Sequence, residues 1–211
     1  MKKDLSLDKK PRYTSALFLD RDGVLNDLVY YKEEGRVGSP LSPAQLKVSV
    51  HAGEAVKKSQ ALGLQVIVIS NQPGVAKKQF SYRELLRMNS KIATKLASEG
   101  VRLDGEYYCL HHPNALIAKY KVICDCRKPK PGLLLAAARE RGLDLAKSFF
   151  AGDSLIDIKA GKAAGCKTIL VATMTDLLNR VIAEENAKPD YLVANVSKIP
   201  NLLQNILKKN W

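Results

Sequence analysis

The chain has 211 residues, 46% of them hydrophobic and only four of them cysteine, which excludes a disordered chain and a disulfide-stapled scaffold and allows one sizeable core. No apolar run approaches the length of a membrane span, so no membrane association is expected. Thirty-four Lys and Arg against 21 Asp and Glu give a formal net charge of +13, which suits an anionic substrate or partner.

Residues 1–14 form a polar, basic stretch that reads as a flexible N-terminus without the apolar core of a secretory signal, and a cytoplasmic location is expected. From residue 15 to 211, strand patterns alternate with helical ones. That alternation predicts a single α/β domain, three-layered and doubly wound (Rossmann-like), around a mainly parallel sheet with no large cap. The first strand ends abruptly in Phe18-Leu19-Asp20-Arg21-Asp22-Gly23. Ligands of open α/β sheets bind beyond the carboxyl ends of the strands, so Asp20 offers a nucleophile there, with Asp22 a second carboxylate two residues on. Carboxylates this close repel one another, and a hard cation such as Mg²⁺ would offset the repulsion. Residues 27–43 read as a long loop that could roof the site.

A helix over 52–62 precedes a second buried-type strand, Gln65-Val66-Ile67-Val68-Ile69, which ends in Ser70-Asn71-Gln72-Pro73. The hydroxyl and amides at this end can hydrogen-bond a phosphoryl oxygen, Ser70 first among them. A helix over 82–98 and a strand over 105–108 lead into Cys109-Leu110-His111-His112, and Cys124-Asp125-Cys126 follows after a loop. Thiols and imidazoles so clustered are zinc-ligand chemistry, and Cys109, His111, Cys124 and Cys126 can close a tetrahedral structural site over about 109–126. Directly after it, Arg127-Lys128-Pro129-Lys130-Pro131-Gly132 sets cations before a helix over 132–141, where a phosphate is favoured. A strand ending in Gly152-Asp153 runs into a helix over 155–164 that carries Asp157; Asp153 is placed for the metal and Asp157 for support. Strands over 168–171 and 191–193 and helices over 176–185 and 198–209 complete the pattern.

Taken in order, the four acidic and basic segments resemble the haloacid dehalogenase (HAD) superfamily of aspartate-nucleophile phosphatases. The resemblance implies that Asp20 attacks phosphorus and becomes an aspartyl-phosphate, that Asp22 protonates the leaving oxygen and then deprotonates water, and that Ser70 and Lys128 stabilise the transferring group. It further implies Mg²⁺ held by Asp20, by the backbone carbonyl of Asp22 and by Asp153. With Cys-x-His and Cys-x-Cys added, the chain looks like the zinc-containing branch of heptose bisphosphate and histidinol-phosphate phosphatases. On that resemblance Asn26, Asn71, Gln72, Pro73 and Arg127 join Ser70 and Lys128 in contacting a small sugar phosphate, and a monomer is expected. Two residue choices depart from the branch: Ala76-Lys77-Lys78 replaces the usual Ala-Arg-Gly, and Ser154 follows the metal Asp where Lys is common.

The net charge keeps other readings in view. Histidinol phosphate and the 3′-phosphate of a polynucleotide would suit the same chemistry, and a non-catalytic zinc-containing module would suit the fold. Nucleic acid is the less favoured partner, because the lysines are scattered without interleaved aromatics, and the paired Asp20 and Asp22 argue for catalysis.

Overall fold

The computed structural model describes residues 14–172 and 188–209; residues 1–13 of the expected N-terminal arm and the predicted helix 176–185 lie outside them. In chain order the elements are β1 (Ala16–Leu19), β2 (Val29–Tyr31), β3 (Arg36–Gly38), α1 (Ala52–Ala61), β4 (Gln65–Asn71), α2 (Tyr82–Ser98), β5 (Gly105–Cys109), α3 (Gly132–Arg141), β6 (Phe149–Gly152), α4 (Leu155–Ala164), β7 (Lys167–Val171), β8 (Tyr191–Val193) and α5 (Ile199–Lys209). Six strands make one sheet in the order β5-β4-β1-β6-β7-β8, and every pairing is parallel. The order turns back on itself at β1, so the crevice at the carboxyl end of β1 is the switch point where such sheets bind ligands.

Alternation along the strands builds two cores. Leu17, Leu19, Val66 and Val68 pack on one face under α1, α2 and α5; Ala16, Phe18, Ile67 and Ile69 pack on the other under α3 and α4. Phe18 is wholly buried, and burial of such a side chain contributes about 1.5–3 kcal/mol. A strand buried on both faces has no polar alternation, which is why β1 reads as a continuous apolar run that stops at Asp20. Ser81 caps α2, accepting from the backbone N–H of Glu84 at 3.1 Å while the Glu84 carboxylate accepts from Ser81 N–H at 2.7 Å.

Residues 27–43 differ from the expected loop. β2 and β3 pair antiparallel in a small hairpin, with Val29 opposite Gly38 and Tyr31 opposite Arg36. Gly35 makes the reversal at a φ of 58°, a left-handed conformation that glycine adopts without strain. The β-branched and aromatic residues of Val29-Tyr30-Tyr31 favour the strand. Between the last two strands and the C-terminal helix, the helical pattern begins as a short 3-10 turn (Val196–Lys198), and the α-helix starts at Ile199. No helix among the described residues is long and apolar enough to cross a membrane.

Candidate active site

Asp20 leaves the end of β1 with its N–H still bonded to Ala151 of β6 at 2.9 Å, so its side chain is fixed between two strands. Its Oδ1 accepts from the backbone N–H of Arg21 at 2.7 Å and meets Lys128 Nζ at 2.9 Å, while Oδ2 carries no hydrogen bond from a described residue. Lys128 is 3% exposed and also reaches Asp157 at 2.5 Å and the carbonyl of Ile69 at 3.2 Å. Burial alone would depress this ammonium, yet Asp157 and Asp20 together hold it above its ordinary value.

Asp157 begins α4 and does two things there. Its Oδ2 accepts from Ser154 N–H at 3.1 Å and from the Ser154 hydroxyl, capping the helix, while Oδ1 takes Lys128. Ser154 is therefore engaged with the cap. Asp153, at the end of β6, packs against the backbone of Gly23, where an added Cβ would lie 2.2 Å from its Oδ2. Only glycine permits that approach, and Gly23 also adopts a φ of 82°.

Carboxylate oxygens of Asp20, Asp153 and Asp157 lie within 4.8 Å of one another. Burial pushes Asp153 up to about 8, with Asp20 and Asp157 adding to the rise and Lys128 opposing it. Asp20 is pushed up to about 6, again by burial first, against the pull of Lys128. One ammonium does not neutralise this group, and a divalent cation between Asp20 and Asp153 fits the missing charge.

Asp22 faces the same crevice and is clamped. Arg21 Nε and Nη2 donate to its Oδ1 at 3.0 and 2.9 Å, and Gln72 Nε2 donates to its Oδ2 at 2.8 Å. The Gln72 amide also lies 3.2 Å from the hydroxyl of Ser70, which is buried beside it. Asn71 exchanges two bonds with Lys128, donating from Nδ2 to its carbonyl and accepting from its N–H at Oδ1, both at 3.1 Å. The sequence places Asn71 and Gln72 among the substrate contacts; in the structure their side chains bond Lys128, Ser70 and Asp22. Pro73 opens a turn closed by Lys77 N–H at 2.9 Å. Asn26 is wholly buried, donates to the Asp27 carbonyl at 3.0 Å and has an Oδ1 without a partner among the described residues. It lines a cavity of about 430 Å³ with Asp153, Leu28 and Val37, so the hairpin stands over one side of the crevice.

On the other side stands the Cys/His loop. Donor atoms of Cys109, His111, Cys124 and Cys126 lie within 4.8 Å of one another. Cys126 Sγ is 3.1 Å from Cys124 Sγ and 3.2 Å from Cys109 Sγ, and His111 Nδ1 lies 3.3 Å from Cys126. Burial pushes Cys109 and Cys126 up, whereas hydrogen bonds from Cys126, Cys109 and His111 outweigh burial and draw Cys124 down to about 7. Three sulfurs and one imidazole this close together are a donor set compatible with a structural zinc ion. Arg127 follows at once and donates to the His111 carbonyl at 3.3 Å. Sequence reasoning missed Arg21 and its partner Asn89; Arg21 was visible as the residue between the two acids, and Asn89 left no signal.

The family described as HAD-hydrolase-like matches residues 125–199. A D-glycero-beta-D-manno-heptose-1,7-bisphosphate 7-phosphatase of Pasteurella multocida is 37% identical over 194 residues, covering 90% of this chain and 97% of that protein. The protein of that name from Photorhabdus laumondii is 34% identical over 193 residues, with 92% and 97% covered. Among solved structures, the D,D-heptose 1,7-bisphosphate phosphatase of B. bronchiseptica, complexed with magnesium and phosphate, superposes with a TM-score of 0.74 at 26% identity, covering 90% of this chain and 99% of that one. A putative HAD-like phosphatase from Mesorhizobium loti gives 0.73 at 29% identity, with 94% and 88% covered.

Proposed function

The chain belongs to the family of D-glycero-beta-D-manno-heptose-1,7-bisphosphate 7-phosphatases, HAD-type hydrolases, and from that premise we propose that it removes the 7-phosphate of that sugar bisphosphate through an aspartyl-phosphate on Asp20. The observation that carries the reading is the buried Lys128 ammonium bridging Asp20 and Asp157, with Asp153 alongside.

Asp20 attacks phosphorus through its oxygen, and the bond to the sugar oxygen breaks as Asp22 delivers a proton to it. Asp22, now a carboxylate, takes a proton from water as that water attacks the aspartyl-phosphate; the bond from Asp20 to phosphorus breaks and inorganic phosphate leaves. Lys128 and Ser70 hold the equatorial oxygens, and Asn71 and Gln72 keep those two residues in place. Asp20, Asp153 and the carbonyl of Asp22 would hold Mg²⁺, which supplies charge neutralisation of the transferring group. Cys109, His111, Cys124 and Cys126 would hold Zn²⁺, which stiffens the loop that carries Arg127.

The test is phosphate release with Mg²⁺ from heptose 1,7-bisphosphate, histidinol phosphate and a 3′-phosphorylated oligonucleotide, with Asp20→Asn as control. Release from the heptose ester that Asp20→Asn abolishes supports the reading. Preference for either other ester reassigns the substrate within the same chemistry, and retained turnover in Asp20→Asn overturns the nucleophile.

A further inference from the structure

We propose that Asn89, in the middle of α2, is a positioning residue for this reaction: acting through the buried guanidinium of Arg21, it fixes the carboxyl group of Asp22. The proposal rests on the reading of Asp22 as the proton donor.

Among the described residues Arg21 is the largest of the wholly buried side chains, and its donors point in two directions. Nε and Nη2 meet Asp22 Oδ1 at 3.0 and 2.9 Å, and Nη2 also lies 3.2 Å from Oδ2. Nη1 points away from the acids and donates to Asn89 Oδ1 at 2.9 Å. The guanidinium is planar and rigid, so anchoring Nη1 on α2 sets the plane in which the other two nitrogens meet the carboxylate. Gln72 then fixes the second oxygen from the end of β4 at 2.8 Å.

The consequence is that Asp22, which sits in a turn, takes its orientation from elements outside that turn. α2 is 17 residues long and begins with a complete capping box, which makes it a firm support. The reaction asks for such support, because one carboxyl must give a proton to the leaving oxygen and later take one from water at the same phosphorus. A displacement of about 1 Å in such a group costs on the order of 10²-fold in rate. A buried ion pair is weak evidence of stabilisation in itself, since apolar residues of the same shape often serve as well. Here the pair joins the proton donor to α2 through the bond from Arg21 Nη1 to Asn89 Oδ1.

The experiment measures kcat, KM and the thermal midpoint of Asn89→Ala and Asn89→Asp on heptose 1,7-bisphosphate with Mg²⁺, alongside Asp22→Asn. It also measures kcat/KM on an aryl phosphate whose phenol departs without a proton. Asn89→Ala is expected to lower kcat on the heptose ester about 10-fold with KM unchanged. Asn89→Asp, which keeps the acceptor oxygen, is expected to restore kcat, and the aryl phosphate is expected to show no loss in either variant. Unchanged kcat in Asn89→Ala, a loss confined to KM, an equal loss on both esters, or no rescue by Asn89→Asp overturns the proposal. Should Asn89→Ala fail to fold, Arg21→Lys keeps the buried charge, gives up the planar fork, and carries the same expected pattern. Full heptose turnover in Asp22→Asn would instead overturn the proton-donor reading. An inactive Asp22→Asn beside an unaffected Asn89→Ala would overturn this inference alone.

Discussion

At the end of β1 the acids sit inside hydrogen-bonded sheet, whereas a short distance away Ile123 of the Cys/His loop is 85% exposed, and Val122 beside it also faces solvent. The strand end needs no added ligand to hold Asp20, because β4 and β6 flank it on both sides. The loop over 109–126 has one short 3-10 turn (Ala118–Tyr120) and no strand after Cys109; besides Leu110 and Tyr120, which pack on the core, it is tied by bonds from Leu116 and Ile117 to the Ala76 carbonyl and by the close-set Cys/His donors. Both regions deliver a residue to the same crevice. The comparison teaches that rigidity at one site can come from buried sheet on one flank and from ligand chemistry on the other.

The largest effect should come from the sheet side. Asp20→Asn should lower turnover by at least about 10³-fold while leaving the fold intact, checked by phosphate release and thermal unfolding together. On the loop side, Cys126→Ser should lose bound zinc and lower kcat/KM about 10–100-fold by freeing Arg127, checked by metal content and kinetics. An equal loss of folding stability in both variants would erase the contrast.

Acidity sharpens the contrast from another direction. The Asp153 carboxyl is pushed up to about 8 from 3.8, so in the metal-free protein its contribution to stability is complete below 3.8 and is lost as pH rises through about 8. Mg²⁺ competes with that proton, so its affinity should weaken by up to about 10-fold for each pH unit below about 8. Thermal unfolding with and without Mg²⁺ at several pH values measures this, and a shift independent of pH contradicts it. Asn71→Ala cuts the two bonds that tie the sheet side to Lys128 and should cost about 1–2 kcal/mol in denaturant unfolding. Ile123→Ser should change stability by less than about 0.5 kcal/mol, because its side chain already stands in water.

The sheet was legible because strands buried on both faces have an unbroken apolar pattern, and Asp20 and Asp153 stand out where that pattern stops. The Cys/His cluster was legible from residue type alone, since sulfur and imidazole so closely spaced have few other uses. The hairpin was not, because Tyr30 and Val37 are exposed and leave no buried face to detect. Nor were the protein partners of Asn71 and Gln72: an amide at a strand end announces that it will bond, and only the fold decides that Lys128 and Asp22 are within its reach. Asn89 lies among polar residues on an amphipathic helix, and nothing in that stretch separates it from its neighbours.

The place of β1 in the sheet also sets when the site can exist. Its neighbours β4 and β6 come from widely separated parts of the chain, and Lys128, Asp153 and Asp157 all follow β5. A nascent chain synthesised through α2 can bring Asp20 beside Ser70, but it holds neither the Lys128 ammonium that pairs with the proposed nucleophile nor Asp153 of the proposed metal site. Such non-local pairing folds slowly and late. Catalytic competence should therefore appear only once β6 and α4 have docked, so a partly made chain carries the proposed nucleophile without the means to use it.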